Sequence, residues 1–415
     1  MHHFSHRNGL LYAEDIPISR IADEVGTPCY IYSAATLRRH ARVFREPFPE
    51  GTVVAFSVKA LSNLSVLKLL REEGLGADVV SAGELERAIR AGIDPQKIVF
   101  SGVGKTKGEL AAALEAGILQ FNVESEAELR MLSHVAQERG RDAPVALRIN
   151  PDVDADTHPG ISTGKADDKF GIPWDRALET YQLARSLPGI DPSGLDLHIG
   201  SQITSLEPFE RAAERAAGLV KHLRNEGFEI NRLDLGGGLG VPYKDGEIPP
   251  LPSAYAERLT RVTAPLDIQL ILEPGRVIAG NAGVLLSRVT LTKKQTTKHF
   301  TVVDAAMNDL IRPALYGAQH MILPGTEKTG DTIATTIVGP VCESTDQFTA
   351  DASLAKLEAG DLLAFGTAGA YGAVQASQYN SRPLVPEILV DGDKYKVIRR
   401  RPTYEEMLAL ELNDD

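Results

Sequence analysis

Four short stretches carry residues whose types could do chemistry. The first is "FSVKALSN", Phe56 to Asn63, in which an apolar run from Val53 ends in Lys59. Lysine is almost never fully buried without a partner. An amine delivered to the end of an apolar strand has its pKa lowered and becomes a nucleophile toward carbonyl groups. A lysine that snorkels to solvent would produce the same pattern. The second stretch is "LDLGGGLG", Leu233 to Gly240. Its glycines Gly236, Gly237 and Gly238 let backbone amides approach an anion, although a tight turn would use glycine too. The third is "LEPGR", where Glu273 could accept a hydrogen bond from a protonated ring nitrogen and Arg276 could fork onto a carboxylate or phosphate. The fourth is "LHIGSQ", where His198 could stack on an aromatic ring or simply be a satisfied core histidine. An amine, a phosphate cradle, a carboxylate and an imidazole are together what a pyridoxal phosphate site needs.

Such a set is useful only if the fold gathers it. From residue 53 onward, short apolar strands alternate with amphipathic helical stretches. The strands are "VVAFSVK", "GADVVS", "KIVFSG", "LQFNVES", "PVALRIN", "GLDLHIGS", "RLDLGGG" and "QLILEPGR". Helices such as "NLSVLKLLREEG" and "KGELAAALEAG" lie between them, with apolar residues three and four apart and a closing glycine. Strand–helix alternation implies parallel strands with crossover helices. Eight units between residues 53 and 276 predict an α/β fold, a closed (β/α)8 TIM-type barrel, which typically takes about 250 residues. An open doubly wound sheet is the competing architecture, but no G-x-G-x-x-G follows the first strand. In a barrel the active site sits at the C-terminal strand ends. Here those ends carry Lys59, Ser81, Glu124, Arg148, His198, Gly236 to Gly238, Glu273 and Arg276. Strand ends are commonly polar, and Ser81, Glu124 and Arg148 need no further explanation.

After residue 280 the texture changes to Val-, Ile- and Thr-rich segments such as "GVLLSRVTLTKKQ" and "TIATTIVGPVC", separated by turn residues. This predicts an antiparallel β domain over 281–415. The barrel is expected over 34–280, with residues 1–33 pairing with the β domain.

Composition narrows the function. The 415 residues suffice for a barrel and a second unit. A net charge of −12 argues against nucleic acid, which demands a basic surface. Two cysteines, Cys29 and Cys342, exclude a disulfide framework and a cysteine-rich metal site; no metal is expected. No apolar run reaches the ~20 residues of a membrane span, and the opening "MHHFSHRNGL" has no apolar signal core. A cytoplasmic location, a small-molecule ligand and no membrane or nucleic-acid partner are expected.

The ordered motifs "FSVKALSN", "HPGISTGKADDKFGI", "HIGSQ", "LGGGLG", "EPGR", "DAAMNDLIRPALYGA", "GPVCESTD" and "GAYG" run through nearly the whole chain. In them the sequence resembles the alanine-racemase-like, fold-type III pyridoxal phosphate enzymes, and within them the diaminopimelate decarboxylases. The resemblance implies pyridoxal 5'-phosphate as cofactor and the decarboxylation of meso-2,6-diaminopimelate to L-lysine and carbon dioxide, the last step of lysine biosynthesis. It implies that Lys59 is the Schiff-base lysine, that His198 stacks on the cofactor ring and that Glu273 meets the pyridine nitrogen. Gly236, Gly237 and Gly238, with the backbone around Gly275 and Arg276, would cradle the phosphate. Arg276, Arg312, Tyr316 and Glu343 resemble a substrate clamp, Tyr371 is shared between phosphate and substrate, and Cys342 resembles the proton donor. A homodimer with active sites at its interface is also implied, Cys342 and Glu343 coming from the partner subunit. Leu61 and Ala306 depart from the residues common among relatives, away from any expected catalytic atom.

Related decarboxylases of ornithine, arginine or carboxynorspermidine would share the fold and Lys59. The ornithine and arginine enzymes set an aspartate against the distal cation and lack "CES". Glu343 and Arg312 together suit a substrate with a distal ammonium and a distal carboxylate. A racemase would usually set a tyrosine opposite the lysine, and Cys342 argues against one. A non-catalytic paralogue would usually have lost Lys59 or Cys342.

Overall fold

A computed structural model describes residues 2–154, 169–244 and 246–411. The quoted motif from His158 to Asp168 lies outside the described residues. The chain forms two compact units: Met1–Arg39, Pro242–Glu247 and Ala279–Asp415 make one, and His40–Val241 with Ile248–Ile278 make the other.

The second unit is a closed eight-stranded barrel. Its strands are Val53–Ser57, Gly76–Val79, Ile98–Phe100, Gln120–Val123, Ala143–Arg148, Ile190–Asp196, Arg232–Asp234 and Gln269–Leu272. Each pairs in parallel with the next, and the last closes on the first through Ile271 with Val53 and Leu272 with Val54. Both faces are covered, which is why these segments are nearly continuous apolar runs. The helices begin where side chains satisfy the orphan amides of the first turn. Asn63 accepts from Ser65 N, Ser81 from Glu84 N and Ser125 from Glu128 N, while Thr106 and Glu109 cap reciprocally. Ser81 is thus a helix cap.

Side chains two apart on a strand share a face, and every second one points into the barrel. Val53, Ala55, Val99, Leu119 and Ile271 form one buried apolar cluster. Continuing the alternation from Val53, Ala55, Val99 and Ile271 through the paired strands reaches Ser57, Asp78, Ser101, Asn122, Arg148, Asp196, Asp234 and Glu273, all buried, while Leu119 precedes its strand and does not share the parity of Asn122. The polar residues are collected beyond the apolar cluster, toward the C-terminal ends of the strands. Phe56, Phe100 and Phe121, of opposite parity, are fully buried; truncating such a side chain to alanine costs ~3–5 kcal/mol.

The first unit contains a nine-stranded sheet and a three-stranded antiparallel meander. Most pairings are antiparallel, as the alternation predicts, but two are parallel: His299–Val303 with Thr332–Val338, and Cys29–Ser33 with Glu387–Asp391. A hairpin forces antiparallel pairing, whereas strands far apart in sequence meet in either sense. The strand Gln347–Ala355 lies at the sheet edge and alternates Phe348, Ala350, Ala352 and Leu354 with polar residues, a period-two signal that the sequence reading passed over. Among the described residues no helix is long and apolar enough to cross a membrane.

Candidate functional site

The first barrel strand ends at Ser57, and Lys59 sits in a single 3-10 turn, Val58–Ala60. Its Nζ donates to Asp78 Oδ2 at 2.6 Å, and Ser57 Oγ donates to the same oxygen at 2.9 Å. Asp78 is fully buried while Lys59 keeps about a third of its side chain accessible, 36%. An anion from the neighbouring strand therefore holds the amine at the barrel mouth. The sequence reading missed Asp78, though an aspartate inside the apolar run "GADVV" was its signal.

Glu273 is buried, and its Oε1 accepts from Ser101 Oγ and Asn122 Nδ2, both at 3.1 Å. Asn122 also donates to Asp234 Oδ2 at 3.3 Å, and Gly236 N donates to Asp234 Oδ1 at 2.9 Å. Carboxyl oxygens of Asp196, Asp234 and Glu273 lie within 4.8 Å of one another. Three buried carboxyls so close cannot all ionise at neutral pH. Burial, then mutual repulsion, raises Asp196 and Glu273 well above the ordinary carboxylate range; burial lifts Asp234 to about 6. Arg148 donates to Glu124 Oε1 at 3.0 Å and stands 4.0 Å from Asp196. Glu124 also accepts from the amides of Gly102 and Gly171. Glu124 and Arg148 form a buried ion pair beside the carboxyl cluster, more than the plain strand-end polarity their positions suggest. Asn122, Asp196 and Asp234 were missed as well, and the alternation that carries Ser57 and Glu273 inward would have found them.

His198 lies 4.0 Å from Glu273 Oε2 through Nδ1. Burial, then the cations Arg148 and Lys59, hold its pKa well below the usual value, so the imidazole is neutral. Gly237 N donates to Nδ1 at 3.3 Å, which places the ring proton on Nε2. The glycine run follows from this crowding. A Cβ at Gly237 would collide with the carbonyl oxygen of Glu273, and one at Gly236, where φ is +64°, with the His198 ring. The amides of Gly236 and Gly237 are committed inside the protein; that of Gly238 has no such partner among the described residues. Gly275 and Arg276 follow Glu273, and Arg276 donates to Ser201 Oγ at 3.2 Å.

The remaining candidates lie in the β unit. Arg312 opens the short helix Arg312–Tyr316 and is buried. Its guanidinium lies 4.6 Å from the Tyr243 ring and its Nη1 is 3.2 Å from His320 Nε2. His320 Nδ1 lies 2.8 Å from Gly366 O, a carbonyl that can only accept, so Nδ1 carries the proton and Nε2 accepts from Arg312. Tyr316 is half-buried, and half-buried Tyr371 has φ of +56°, a left-handed conformation that a tyrosine adopts only under constraint. Cys342 is exposed, unlike Cys29, whose thiol is pushed up to about 12 by burial. On the single chain Cys342 is therefore not a buried apolar residue. Exposed Glu343 accepts from Tyr379 Oη at 2.7 Å and from Thr345 Oγ1 at 3.1 Å. Asp346 shapes this loop by accepting from Met307 N and Val341 N.

Known proteins share both sequence and architecture. The family described as pyridoxal-dependent decarboxylase, pyridoxal binding domain, matches residues 34–280. The diaminopimelate decarboxylase of Vibrio cholerae is 50% identical over 99% of this chain and 99% of its own, and that of Zymomonas mobilis is 51% identical over 98% and 97%. Among solved structures, Helicobacter pylori diaminopimelate decarboxylase complexed with L-lysine has a TM-score of 0.91 at 41% identity, covering 95% of this chain and 99% of that one. The M. jannaschii enzyme in co-complex with L-lysine has a TM-score of 0.94 at 36% identity, over 99% and 98%.

Proposed function

The chain belongs to the pyridoxal-dependent decarboxylases, within the diaminopimelate decarboxylases, and from that premise we propose how its own residues divide the work. The reaction is the pyridoxal-phosphate-dependent decarboxylation of meso-2,6-diaminopimelate to L-lysine and carbon dioxide. The observation that carries the assignment is the inner face of the barrel, where Lys59, held by Asp78, stands with the Asp196–Asp234–Glu273 cluster.

These residues fit the cofactor. The carboxyl cluster holds more acid groups than Arg148 and Lys59 can neutralise, so Glu273 would hold a protonated ring nitrogen. Lys59 would present its amine to the aldehyde carbon. Neutral His198 offers a ring face without adding charge. Gly236 and Gly237 make room, and the Gly238 amide and the backbone around Gly275 and Arg276 would hold the phosphate, as would Tyr371. When bound, pyridoxal phosphate supplies an electron sink for the pair released at the α-carbon.

Arg276, Arg312, Tyr316 and Glu343 read the far end of the substrate, whose ammonium and carboxylate need both signs. Cys342 delivers the proton that replaces the lost carboxyl. Cys342 and Glu343 are exposed on a single chain, where water would weaken both roles. A second copy of the chain in a cytoplasmic homodimer would desolvate them and complete each site.

The direct test is incubation with pyridoxal phosphate and diaminopimelate. Equimolar lysine and carbon dioxide are expected, and product from ornithine or arginine instead would overturn the substrate assignment. Arg312→Ala or Glu343→Asp should lower kcat/KM for diaminopimelate by roughly 30- to 5,000-fold, as for a lost charge-assisted contact of ~2–5 kcal/mol. Cofactor affinity should hardly move. Wild-type kcat/KM in either variant would show that residue to lie outside the clamp.

A further inference from the structure

We propose that Tyr379 and Asn380, which no motif above includes, are positioning residues: Tyr379 aims the Glu343 carboxylate and Asn380 anchors the Cys342 backbone. The inference rests on the reading of Cys342 and Glu343 given above. Tyr379 Oη donates to Glu343 Oε1 at 2.7 Å, and Asn380 Oδ1 accepts from Cys342 N at 3.2 Å. Adjacent residues of one segment thus grip adjacent residues of another, 36 and 38 positions away.

Glutamate has three rotatable side-chain bonds, and an exposed one samples many rotamers. Glu343 is restrained from two sides. Thr345 Oγ1 donates to Oε2 while Tyr379 holds Oε1, which fixes the plane of the carboxylate. A fixed anion can distinguish a substrate with a distal ammonium from one without it. The hydroxyl is suited to the task, because its bond to Glu343 raises its pKa above the ordinary tyrosine value and keeps it a donor. The backbone of the gripping segment is itself constrained. Asn380 and Ser381 have φ of +56° and +53°, a conformation asparagine tolerates through its short polar side chain. Arg382 secures the segment by donating to Asn308 Oδ1 at 3.0 Å and to the Asp304 carbonyl at 2.5 Å. The left-handed turn places Oδ1 of Asn380 under the Cys342 amide while Tyr379 reaches the neighbouring carboxylate.

The experiment uses the holoenzyme and two ligands: diaminopimelate as substrate, and 2-aminopimelate, which lacks the distal amine, as inhibitor. Tyr379→Phe should raise KM for diaminopimelate about tenfold, the low end for a hydrogen bond to a charged group at a part-exposed site. Its kcat, the inhibition constant of 2-aminopimelate, the cofactor absorbance and the unfolding temperature should stay near wild type. Equal weakening of both ligands, or of neither, overturns the role of Tyr379. Glu343→Gln is run alongside. If it too weakens both ligands equally, the clamp reading itself has failed; if it weakens diaminopimelate alone while Tyr379→Phe does nothing, only the positioning inference has. For Asn380, the glycine variant keeps the left-handed backbone and removes the acceptor. Asn380→Gly should lower kcat with KM little changed, and Asn380→Asp, which retains an acceptor, should restore it. A loss in the glycine variant that aspartate does not restore, or no loss at all, overturns the anchoring role.

Discussion

Lys59→Ala is expected to abolish turnover and the covalent link to the cofactor, while the barrel remains folded. On the proposed reading the amine would bond the aldehyde carbon, and the described contacts hold it against Asp78. Its removal leaves a fully buried carboxylate without its cation. That costs roughly 1–3 kcal/mol, between the values for exposed and buried pairs, because Lys59 is itself partly solvated. A loss of activity could therefore be confused with a loss of fold. The double variant Lys59→Ala with Asp78→Asn separates them: stability should return and activity should not. Borohydride reduction of the wild-type holoenzyme followed by peptide mapping should label Lys59, and label on any other lysine would sink the assignment.

Cys342→Ala should bind cofactor and substrate normally and turn over slowly. When carbon dioxide leaves, a proton must reach the α-carbon, and on the proposed reading the Cys342 thiol would supply it. General acid catalysis of this kind contributes roughly 10²–10⁴-fold. The exposure of Cys342 on the single chain fits a thiol that serves a site on a second copy, and subunit exchange tests that arrangement. In a mixed dimer of Lys59→Ala with Cys342→Ala, a shared-site model gives one site with both residues altered and one with both intact. Up to half the wild-type activity per heterodimer should return. If mass measurement confirms exchange and no activity appears, the sites are not shared and Cys342 acts, if at all, within its own chain.

Much of this protein was legible in its sequence because the relevant forces are local. A strand buried on both faces must be apolar along its length, and a helix must cap its first amides. The eight βα units and their order therefore follow from "VVAFSVK" through "QLILEPGR" without any knowledge of contacts. The exceptional residues stand out against that background: a lysine closing an apolar run, three successive glycines, a glutamate before a proline. Local pattern is silent about which distant residues meet. Asp78 beneath Lys59, the carboxyl cluster of Asp196, Asp234 and Glu273, and the Tyr379 and Asn380 grip join residues from 19 to 77 positions apart. The two parallel pairings of the β unit, likewise, join strands with no hairpin between them. Closure of the barrel and folding of the sheet decided these contacts, since burial in a shared interior brings the groups within hydrogen-bonding range and raises the cost of leaving any of them unpaired. The chemistry-bearing residue types were written in the chain; their partners, and through them their charge states, were settled only when the strands closed into a ring.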